Sequence, residues 1–277
     1  MQKGVLLMLY LNAKFAKLWR GKDPFVEVLG LDGKEYRSKE GRRTVQLVID
    51  DKSYFLKTHQ GVGWKEIFKN LLQLRLPVIG ASNEYFAANR LRDLGIDTLT
   101  PVTFGKRGLN PAQQLSFLIT EDISNTVSLE DYCADWKTKP PAYVHKKALI
   151  ELLAHVTKIM HQTGINHRDY YLCHFLLDKN SIKNMTSPKC YLIDLHRAQI
   201  RNKVPRRWKI KDLAGLYFSA MDIGLSARDL YRFIHRYSDL GLSHELKNNM
   251  HEWSSVISVA SRLYLKENDV LPAKALK

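Results

Sequence analysis

Cysteine is scarce in this chain. Three cysteines occur among 277 residues, at Cys133, Cys173 and Cys190, and their spacing is irregular. An odd number cannot pair completely, and disulfide-stapled secreted domains depend on an even, regularly spaced set. The sequence therefore excludes a disulfide framework. It indicates a reducing compartment and favours a cytoplasmic protein.

Long hydrophobic runs are also missing. The longest run, VLLMLYL at residues 5–11, is far shorter than the roughly 20 apolar residues that cross a bilayer as a helix. Lys3 precedes this run as in a signal peptide, but no small-residue cleavage site follows it. We expect a packed N-terminal segment or a strand here, in a protein that is soluble or peripheral to the membrane.

Acidic side chains are outnumbered by basic ones. The chain has 43 Lys and Arg against 28 Asp and Glu, a formal net charge of +15. This excess favours a polyanionic partner, such as nucleic acid, an anionic membrane surface or a phosphorylated glycolipid. Nucleic acid is poorly supported, because no zinc-finger, helix-turn-helix or aromatic RNA-binding motif occurs.

The order of predicted elements is β-rich first and helical second. Two β-rich runs, TVQLVI and SYFLK, are joined by the hairpin signal DDK. A helix follows, and one of its faces is apolar: Trp64, Ile67, Phe68, Leu71 and Leu72. Its predicted stop is Pro77. The sequence predicts one α+β domain of two lobes, 1–125 and 126–277.

Three short motifs supply the charged groups that phosphoryl transfer needs. The reaction uses a carboxylate near the attacking hydroxyl, a carboxylate for Mg²⁺ and a cation on the nucleotide phosphates. HRD provides Asp169, IDLH provides Asp194 and YFLK provides Lys57. All three follow the chain order and the local structure of the kinase signature.

Two further residues, His174 and Glu84, each have a functional and a structural interpretation. His174 stands five residues after Asp169, where the kinase motif has Asn, so it is either a substitute near the metal or a loop histidine. Mg²⁺ prefers oxygen ligands, which favours a positioning role. Glu84, in a predicted helix, would pair with Lys57 or remain an exposed helix-start carboxylate.

A thiol nucleophile at Cys173 is disfavoured, because adjacent side chains on a predicted strand diverge.

Two kinase features are missing. No G-x-G-x-x-G precedes Lys57, and the matching turn SKEGRR has one glycine, Gly41. Seventeen residues separate Asp194 from Asp212 without an A-P-E sequence, which disfavours a peptide substrate. Asp212 itself is expected at the start of a helix, either as a simple N-cap or as a buried carboxylate bracing the HRD loop.

The segment RNKVPRRWKIK, between those two aspartates, is strongly basic. Its candidate acceptor-binding residues are Arg201, Arg206, Arg207 and Trp208. A charge run is usually a solvated surface, but beside an active site it would suit an anionic acceptor. Trp208 would stack on a sugar or lie at a lipid interface.

These motifs belong to longer segments: LWRGKDPF, RRTVQLVIDDKSYFLK, GINHRDYYLCHFLLD and LIDLHRAQIR. From Leu18 to Phe233 the chain resembles the lipopolysaccharide core heptose(I) kinases of Gram-negative bacteria. The resemblance implies a protein-kinase-like α+β fold with a β-rich N-terminal lobe, a mainly α-helical C-terminal lobe and the ATP site between them. It also implies ATP and Mg²⁺ as cofactors and phosphorylation of the 4-hydroxyl of the first inner-core heptose.

The resemblance also implies roles and partners. Asp169 would be the catalytic base, and Lys57 with Glu84 the phosphate clamp. Asp194 would be the metal ligand, and His174 is the second candidate residue of the metal site. The family has His where protein kinases have Asn. The expected partners are the lipopolysaccharide inner core and lipid A, acylated acyl carrier protein, and the cytoplasmic face of the inner membrane.

Further candidates and alternatives remain open. Glu121 and Ile123, near the lobe boundary, are candidate nucleotide-binding residues. The acceptor would alternatively be another inner-core sugar, either Kdo or the second heptose. A different class of function is a catalytically inactive, kinase-like module that binds anionic lipid.

Overall fold

The computed structural model describes residues 7–39, 41–61, 63–72, 80–184 and 186–270. Its chain forms two compact units. The first contains the described residues of Met1–Arg90 and Leu99–Ser124, and the second those of Leu91–Thr98 and Asn125–Lys277.

The first unit is built on a six-stranded antiparallel sheet. Its strands are β1 (Leu7–Leu11), β2 (Lys34–Lys39), β3 (Arg42–Ile49), β4 (Lys52–Gln60), β5 (Pro101–Arg107) and β6 (Leu115–Glu121), in the spatial order β1-β5-β6-β4-β3-β2. The helices are α1 (Ala13–Leu18), α2 (Pro24–Glu27), α3 (Gly63–Leu72) and α4 (Ser82–Asp93). The predicted DDK hairpin is confirmed: Asp50 and Asp51 join β3 to β4 with φ of 49° and 59°, which Asp tolerates in tight turns.

The two faces of this sheet bury different side chains because the strand repeat is two residues. Phe117 and Ile119 of β6 lie in a cluster with Phe15 of α1. Leu118 lies in another cluster, with Phe104 of β5 and Tyr85 of α4. The rings of Tyr85 and Phe104 stack at 4.2 Å between centroids. This stacking holds α4 against the sheet at the position of Glu84, the residue before Tyr85.

Helix α3 was predicted with an apolar face, and that face is mostly exposed. Trp64, Phe68 and Leu72 are 50%, 58% and 86% exposed, whereas Ile67 is buried. The helix therefore contacts the rest of the unit along one edge. The predicted continuation to Pro77 lies outside the described residues.

The predicted strand near the N-terminus is confirmed by β1, which pairs with β5. Its side chains Leu7, Met8, Leu9 and Tyr10 are exposed. Residues 5 and 6 of the predicted run lie outside the described residues.

The second unit is mainly helical. Its helices are α5 (Leu129–Cys133), α6 (Tyr143–Gln162), α7 (Arg206–Ser219), α8 (Ala227–Tyr237), α9 (Gly241–Asn248) and α10 (Met250–Asn268). Its strands are β7 (Thr126–Ser128), β8 (Ile165–Asn166), β9 (Phe175–Asp178), β10 (Cys190–Leu192) and β11 (Gln199–Ile200). They form a three-stranded sheet, β10-β9-β7, and a two-stranded sheet, β11-β8. No helix within the described ranges is long and apolar enough to cross a membrane.

Residues 91–98 belong to the second unit although they precede β5 in the chain. Thr98 forms a parallel bridge with Leu192 of β10. The Leu192 amide donates to the Asp97 carbonyl at 3.0 Å, and Lys189 forms an ion pair with Asp97 at 3.3 Å. These contacts join a stretch of the N-terminal half of the sequence to the helical unit.

The prediction that Asp212 starts a helix is wrong. Helix α7 begins six residues earlier, at Arg206, with Pro205 at its N-cap. Proline fits the start of a helix because it has no amide hydrogen to leave unpaired. The basic run therefore forms the first turns of α7, and Asp212 lies inside the helix.

Candidate active site

The HRD loop begins at Gly164, directly after α6. Gly164 has φ of 85°, and a Cβ there would lie 1.7 Å from the Arg201 carbonyl oxygen. The Arg201 amide donates to the Gly164 carbonyl at 2.9 Å. Glycine therefore allows the chain to turn out of α6 and to pass against the backbone at the end of β11.

Asp212 holds the backbone of this loop. Its carboxylate is fully buried and accepts hydrogen bonds from the amides of His167 and Arg168, both at 2.7 Å. Arg168 has φ of 77°, a left-handed conformation that is costly for a residue with a side chain. Of the two sequence readings of Asp212, the brace is confirmed and the N-cap is wrong.

His167 connects the loop to the segment that carries Asp194. Its Nε2 donates to the Ile193 carbonyl at 2.9 Å. Complete burial lowers the pKa of His167, and this effect outweighs the nearby Asp212 carboxylate. The imidazole is therefore neutral at pH 7 and serves as a hydrogen-bonded spacer between the two loops.

Asp169 is held at two of its groups. Its carboxylate oxygens accept from Arg197 Nη1 at 2.9 and 3.1 Å. Its backbone carbonyl accepts from His174 Nδ1 at 2.7 Å. The side chain keeps 18% of its surface exposed. The carboxylate is thus fixed in orientation and still reachable by a ligand.

His174 links Asp169 to Asp194. Its Nε2 lies 3.4 Å from Asp194 Oδ2. Burial lowers the pKa of His174, but hydrogen bonds with the Cys173 thiol and the Asp169 carbonyl, and the Asp194 charge, outweigh it and raise the pKa to about 9. Because Nδ1 donates to the Asp169 carbonyl, Nε2 is the ring nitrogen that faces the Asp194 carboxylate. This geometry supports a positioning role.

The expectation that Cys173 and His174 lie on a strand is wrong. These residues lie in a 3₁₀ turn, Leu172–His174, before β9 begins. The strand periodicity used for that expectation does not apply there.

Asp194 follows β10 and has a left-handed backbone, with φ of 61°. Its Oδ1 accepts from His196 Nδ1 at 2.6 Å, and its side chain is 33% exposed. No group of three or more metal-ligating side chains occurs among the described residues. Mg²⁺ in kinases takes one or two carboxylates, with phosphate oxygens and waters completing its shell, and the exposed Asp194 carboxylate fits that donor set.

The predicted Lys57–Glu84 ion pair is confirmed. Lys57 Nζ lies 2.6 Å from Glu84 Oε1. Lys57 is on β4, between β3 and β6, and Glu84 is in the first turn of α4. The Glu84 side chain is 1% exposed, whereas Lys57 keeps 28% of its surface accessible. The buried carboxylate therefore directs the ammonium group without covering it.

The other two candidates for nucleotide binding also lie in the first unit. Glu121 ends β6, pairs with Lys52 at the surface, and donates its amide to the Thr100 carbonyl at 2.9 Å. Ile123 follows two residues later and is half-buried.

The candidate acceptor-binding residues are distributed over the start of α7 and the strand before it. Arg201 donates to Asn166 Oδ1 and Gln199 Oε1. Arg206 pairs with Glu252 of α10 at 2.9 Å. Trp208 has the Arg207 guanidinium carbon 5.0 Å from its ring centroid. Arg201 and Trp208 lie near the HRD loop, whereas Arg206 is directed toward α10.

Sequence reasoning missed the side chains that position the carboxylates. Arg197 and His196 stand directly after IDL, and both hydrogen-bond to a site aspartate. The motif HRD contained Arg168, but its charge was not considered. Each of these residues borders a predicted carboxylate in the sequence, and that adjacency was the available signal.

A sequence model described as "Lipopolysaccharide kinase (Kdo/WaaP) family" matches residues 26–237. The chain belongs to this family. Among its relatives is the lipopolysaccharide core heptose(I) kinase WaaP of Escherichia coli, 51% identical over 256 residues, which are 92% of this chain and 97% of the relative. The protein of the same name from Pseudomonas aeruginosa is 48% identical over 83% of this chain and 86% of its own length.

A solved member of the Kdo/WaaP family has the same fold. The structure "WaaP in complex with acyl carrier protein" matches with a TM-score of 0.82 at 41% identity, covering 93% of this chain and 99% of that one. The predicted α+β, protein-kinase-like fold with a β-rich unit and a mainly helical unit is thus confirmed.

We expect Asp212→Asn to lower the free energy of unfolding by about 2 kcal/mol or more, because an amide cannot accept from both loop amides and loses the charge. Urea unfolding of the purified variant measures this change. Asp222→Asn, at an exposed carboxylate, is the control and should stay within about 0.5 kcal/mol of the wild type. Equal stability of the two variants would contradict the bracing role.

Proposed function

We propose that this protein is an ATP-dependent kinase of lipopolysaccharide core biosynthesis that phosphorylates the 4-hydroxyl of the first inner-core heptose. The observation that carries the proposal is the contact series Asp169–His174–Asp194, in which His174 hydrogen-bonds to the Asp169 carbonyl and lies 3.4 Å from the Asp194 carboxylate. It connects the residue in the position of a catalytic base to the residue in the position of a metal ligand. Membership of a lipopolysaccharide kinase family defines the class of acceptor.

Asp169 would accept the proton of the attacking hydroxyl. As the oxygen–phosphorus bond to the acceptor forms and the bond to ADP breaks, the hydroxyl proton passes to the Asp169 carboxylate. Arg197, bonded to both carboxylate oxygens, keeps that group in one orientation. The products are ADP and a sugar phosphomonoester.

Lys57 would neutralise the α and β phosphates of ATP. Its contact with the buried Glu84 orders the ammonium group, and a fixed cation stabilises phosphate charge better than a mobile one. Asp194 would hold Mg²⁺, which supplies positive charge against the phosphate oxygens, and His174 would orient Asp194. Glu121 and Ile123 remain candidates for contact with the nucleotide, and Arg201, Arg206, Arg207 and Trp208 for contact with the acceptor.

We expect Asp169→Asn to reduce phosphate transfer to heptosylated inner core by about 10²- to 10⁴-fold, because the general base is removed. The assay follows γ-phosphate transfer from ATP to lipopolysaccharide from a kinase-deficient strain. Asp222→Asn, a carboxylate remote from these contacts, serves as the control. Undiminished transfer by Asp169→Asn would refute its role, and mass spectrometry of the product would identify the phosphorylated sugar.

The proposed location is the cytoplasmic face of the inner membrane, bound peripherally. Helix α3 provides a surface of suitable chemistry: Trp64 and Phe68, with ring centroids 5.8 Å apart, and Leu72 are exposed. Lys65 and Lys69 are exposed on the same helix. Aromatic and aliphatic residues combined with lysines are typical of helices that lie in the interface of an anionic bilayer.

We expect the double variant Trp64→Ser/Phe68→Ser to bind vesicles of phosphatidylethanolamine and phosphatidylglycerol about 10-fold more weakly, because it removes the apolar part of this contact. Vesicle sedimentation measures the bound fraction. Val26→Ser/Leu29→Ser, at exposed apolar residues elsewhere in the first unit, is the matched control. If both variants bind as the wild type does, α3 does not contact the membrane.

We also propose acylated acyl carrier protein as a partner. The second unit contains a cavity of about 120 Å³. Its lining is predominantly apolar and includes Leu129, Trp136, Leu153, Leu216, Ala220 and Phe233. The lining matches the chemistry of a saturated acyl chain, since apolar cavities bind apolar groups without loss of hydrogen bonds. The acidic character of carrier proteins complements the net charge of +15.

We expect Ala220→Phe, which places a ring in this cavity, to weaken binding of acylated carrier protein about 10-fold or more. Binding of the non-acylated carrier protein should stay unchanged and is the matched control. Calorimetric titration with both ligands measures the difference, and circular dichroism verifies the fold. Equal affinity of the wild type for the two ligands would contradict the acyl-binding role of the cavity.

A further inference from the structure

Arg168, the middle residue of HRD, is a buried cation without a counter-ion at contact distance. The residue is 7% exposed. Its Nε is buried and has no hydrogen-bond partner. Within the described residues its guanidinium makes no hydrogen bond or ion pair, and its contact is the Trp208 ring, 4.7 Å from guanidinium carbon to ring centroid. A buried guanidinium without a partner is costly, so its presence requires an explanation.

Charges of both signs surround Arg168. Burial, followed by the charges of Arg197 and Arg201, lowers its pKa, whereas the charges of Asp169 and Asp212 raise it. Lys211 lies one turn along α7 from Trp208, with its Nζ 5.7 Å from the ring centroid. Burial and the charge of Arg197 lower the pKa of Lys211 as well. Four cations are therefore gathered at one place beside Asp169.

The nearby carboxylates are already engaged. Asp169 accepts both of its hydrogen bonds from Arg197. Asp212 directs its two oxygens to the loop amides. Arg201 is likewise occupied, by Asn166 and Gln199. Of these four cations, Arg168 and Lys211 have no hydrogen-bonded partner within the described residues.

We infer that Arg168, Lys211 and Trp208 form an anion pocket that binds a carboxylate or phosphate group carried by the acceptor next to the hydroxyl that Asp169 serves. The inference rests on the proposed function and adds a determinant of acceptor specificity to it. A guanidinium and an ammonium group pair well with planar carboxylate or tetrahedral phosphate oxygens. Trp208 provides the apolar wall that keeps both cations together.

This pocket explains why the two cations stand beside the catalytic carboxylate. Arg168 immediately precedes Asp169, and its left-handed backbone, held by Asp212, fixes where its side chain leaves the loop. An acceptor held there by its charge would have its hydroxyl positioned relative to Asp169. A contact made equally before and during the chemical step strengthens acceptor binding and so lowers KM without changing kcat.

The test compares Lys211→Met with Lys209→Met, two lysines on α7 of which Lys209 lines a separate cleft with Asp239 and Glu252. Acceptors are intact inner-core lipopolysaccharide, the same material with its carboxyl groups reduced, and dephosphorylated material. Lys211→Met should raise KM for intact acceptor by about 10-fold, the loss of one charged contact. Its kcat and its KM for ATP should stay near the wild-type values, and Lys209→Met should behave as the wild type.

The decisive result is non-additivity. Removing the anionic group that occupies the pocket should raise KM for the wild type and leave Lys211→Met unaffected. If the carboxyl-reduced acceptor shows this non-additivity, the pocket binds a carboxylate. If the dephosphorylated acceptor shows it, the pocket binds a phosphate. Additive effects with both modified acceptors would overturn the inference. An unchanged KM for intact acceptor in both Lys211→Met and Arg168→Gln would also overturn the inference. Arg168→Gln is included because the remaining cation could compensate for the loss of the other.

Inorganic phosphate separates a free anion from an acceptor group. If phosphate raises the Tm of the wild type but not of Lys211→Met, while neither modified acceptor changes KM, the pocket binds free phosphate and the inference fails. If the wild type transfers no phosphate to any acceptor, the proposed function fails instead. The pocket is then judged by direct binding of intact and modified lipopolysaccharide without ATP, where a preference lost in Lys211→Met would support it.

Discussion

The buried carboxylate of Asp212 is the contact on which the arrangement of the active-site residues depends. It satisfies two successive amides of the HRD loop and so holds Arg168 in a backbone conformation that is otherwise unfavourable. Asp169 is the next residue, and its backbone carbonyl accepts a hydrogen bond from His174 Nδ1. The other ring nitrogen of His174, Nε2, lies 3.4 Å from the Asp194 carboxylate. A carboxylate in the middle of α7 therefore fixes the loop that carries Asp169, the proposed catalytic base.

Local patterns in the sequence supplied the charged residues of the candidate site. Lys57, Asp169 and Asp194 follow motif spacing, and the Lys57–Glu84 pair follows from a strand lysine and a helix-start glutamate. The DDK turn was predictable because Asp accepts positive φ. These features depend on residues close in sequence or on one established pattern, and for that reason the fold class and the main candidates emerged before the structure.

Contacts between distant segments were less accessible to sequence reasoning. Asp212 was misplaced at a helix start because the basic residues before it appeared to be a loop, and Pro205 was not recognised as the start of α7. The exposure of Trp64 and Phe68 could not be derived, since periodicity predicts a shared helix face without saying whether that face is covered. Arg197 became meaningful once the structure placed it on Asp169.

Residues 91–98 have a consequence for how the protein can be divided. The chain enters the helical unit at Leu91, leaves it at Thr98 and returns at Asn125. A gene cut between codons 124 and 125 would therefore separate Thr98 and Asp97 from β10, their hydrogen-bonding neighbour. The C-terminal fragment would lack residues 91–98 of the helical unit, and the N-terminal fragment would carry them without their neighbours. The helical unit is therefore not one continuous segment of the chain. A version of it made alone would need residues 91–98 as well as residues 125–277.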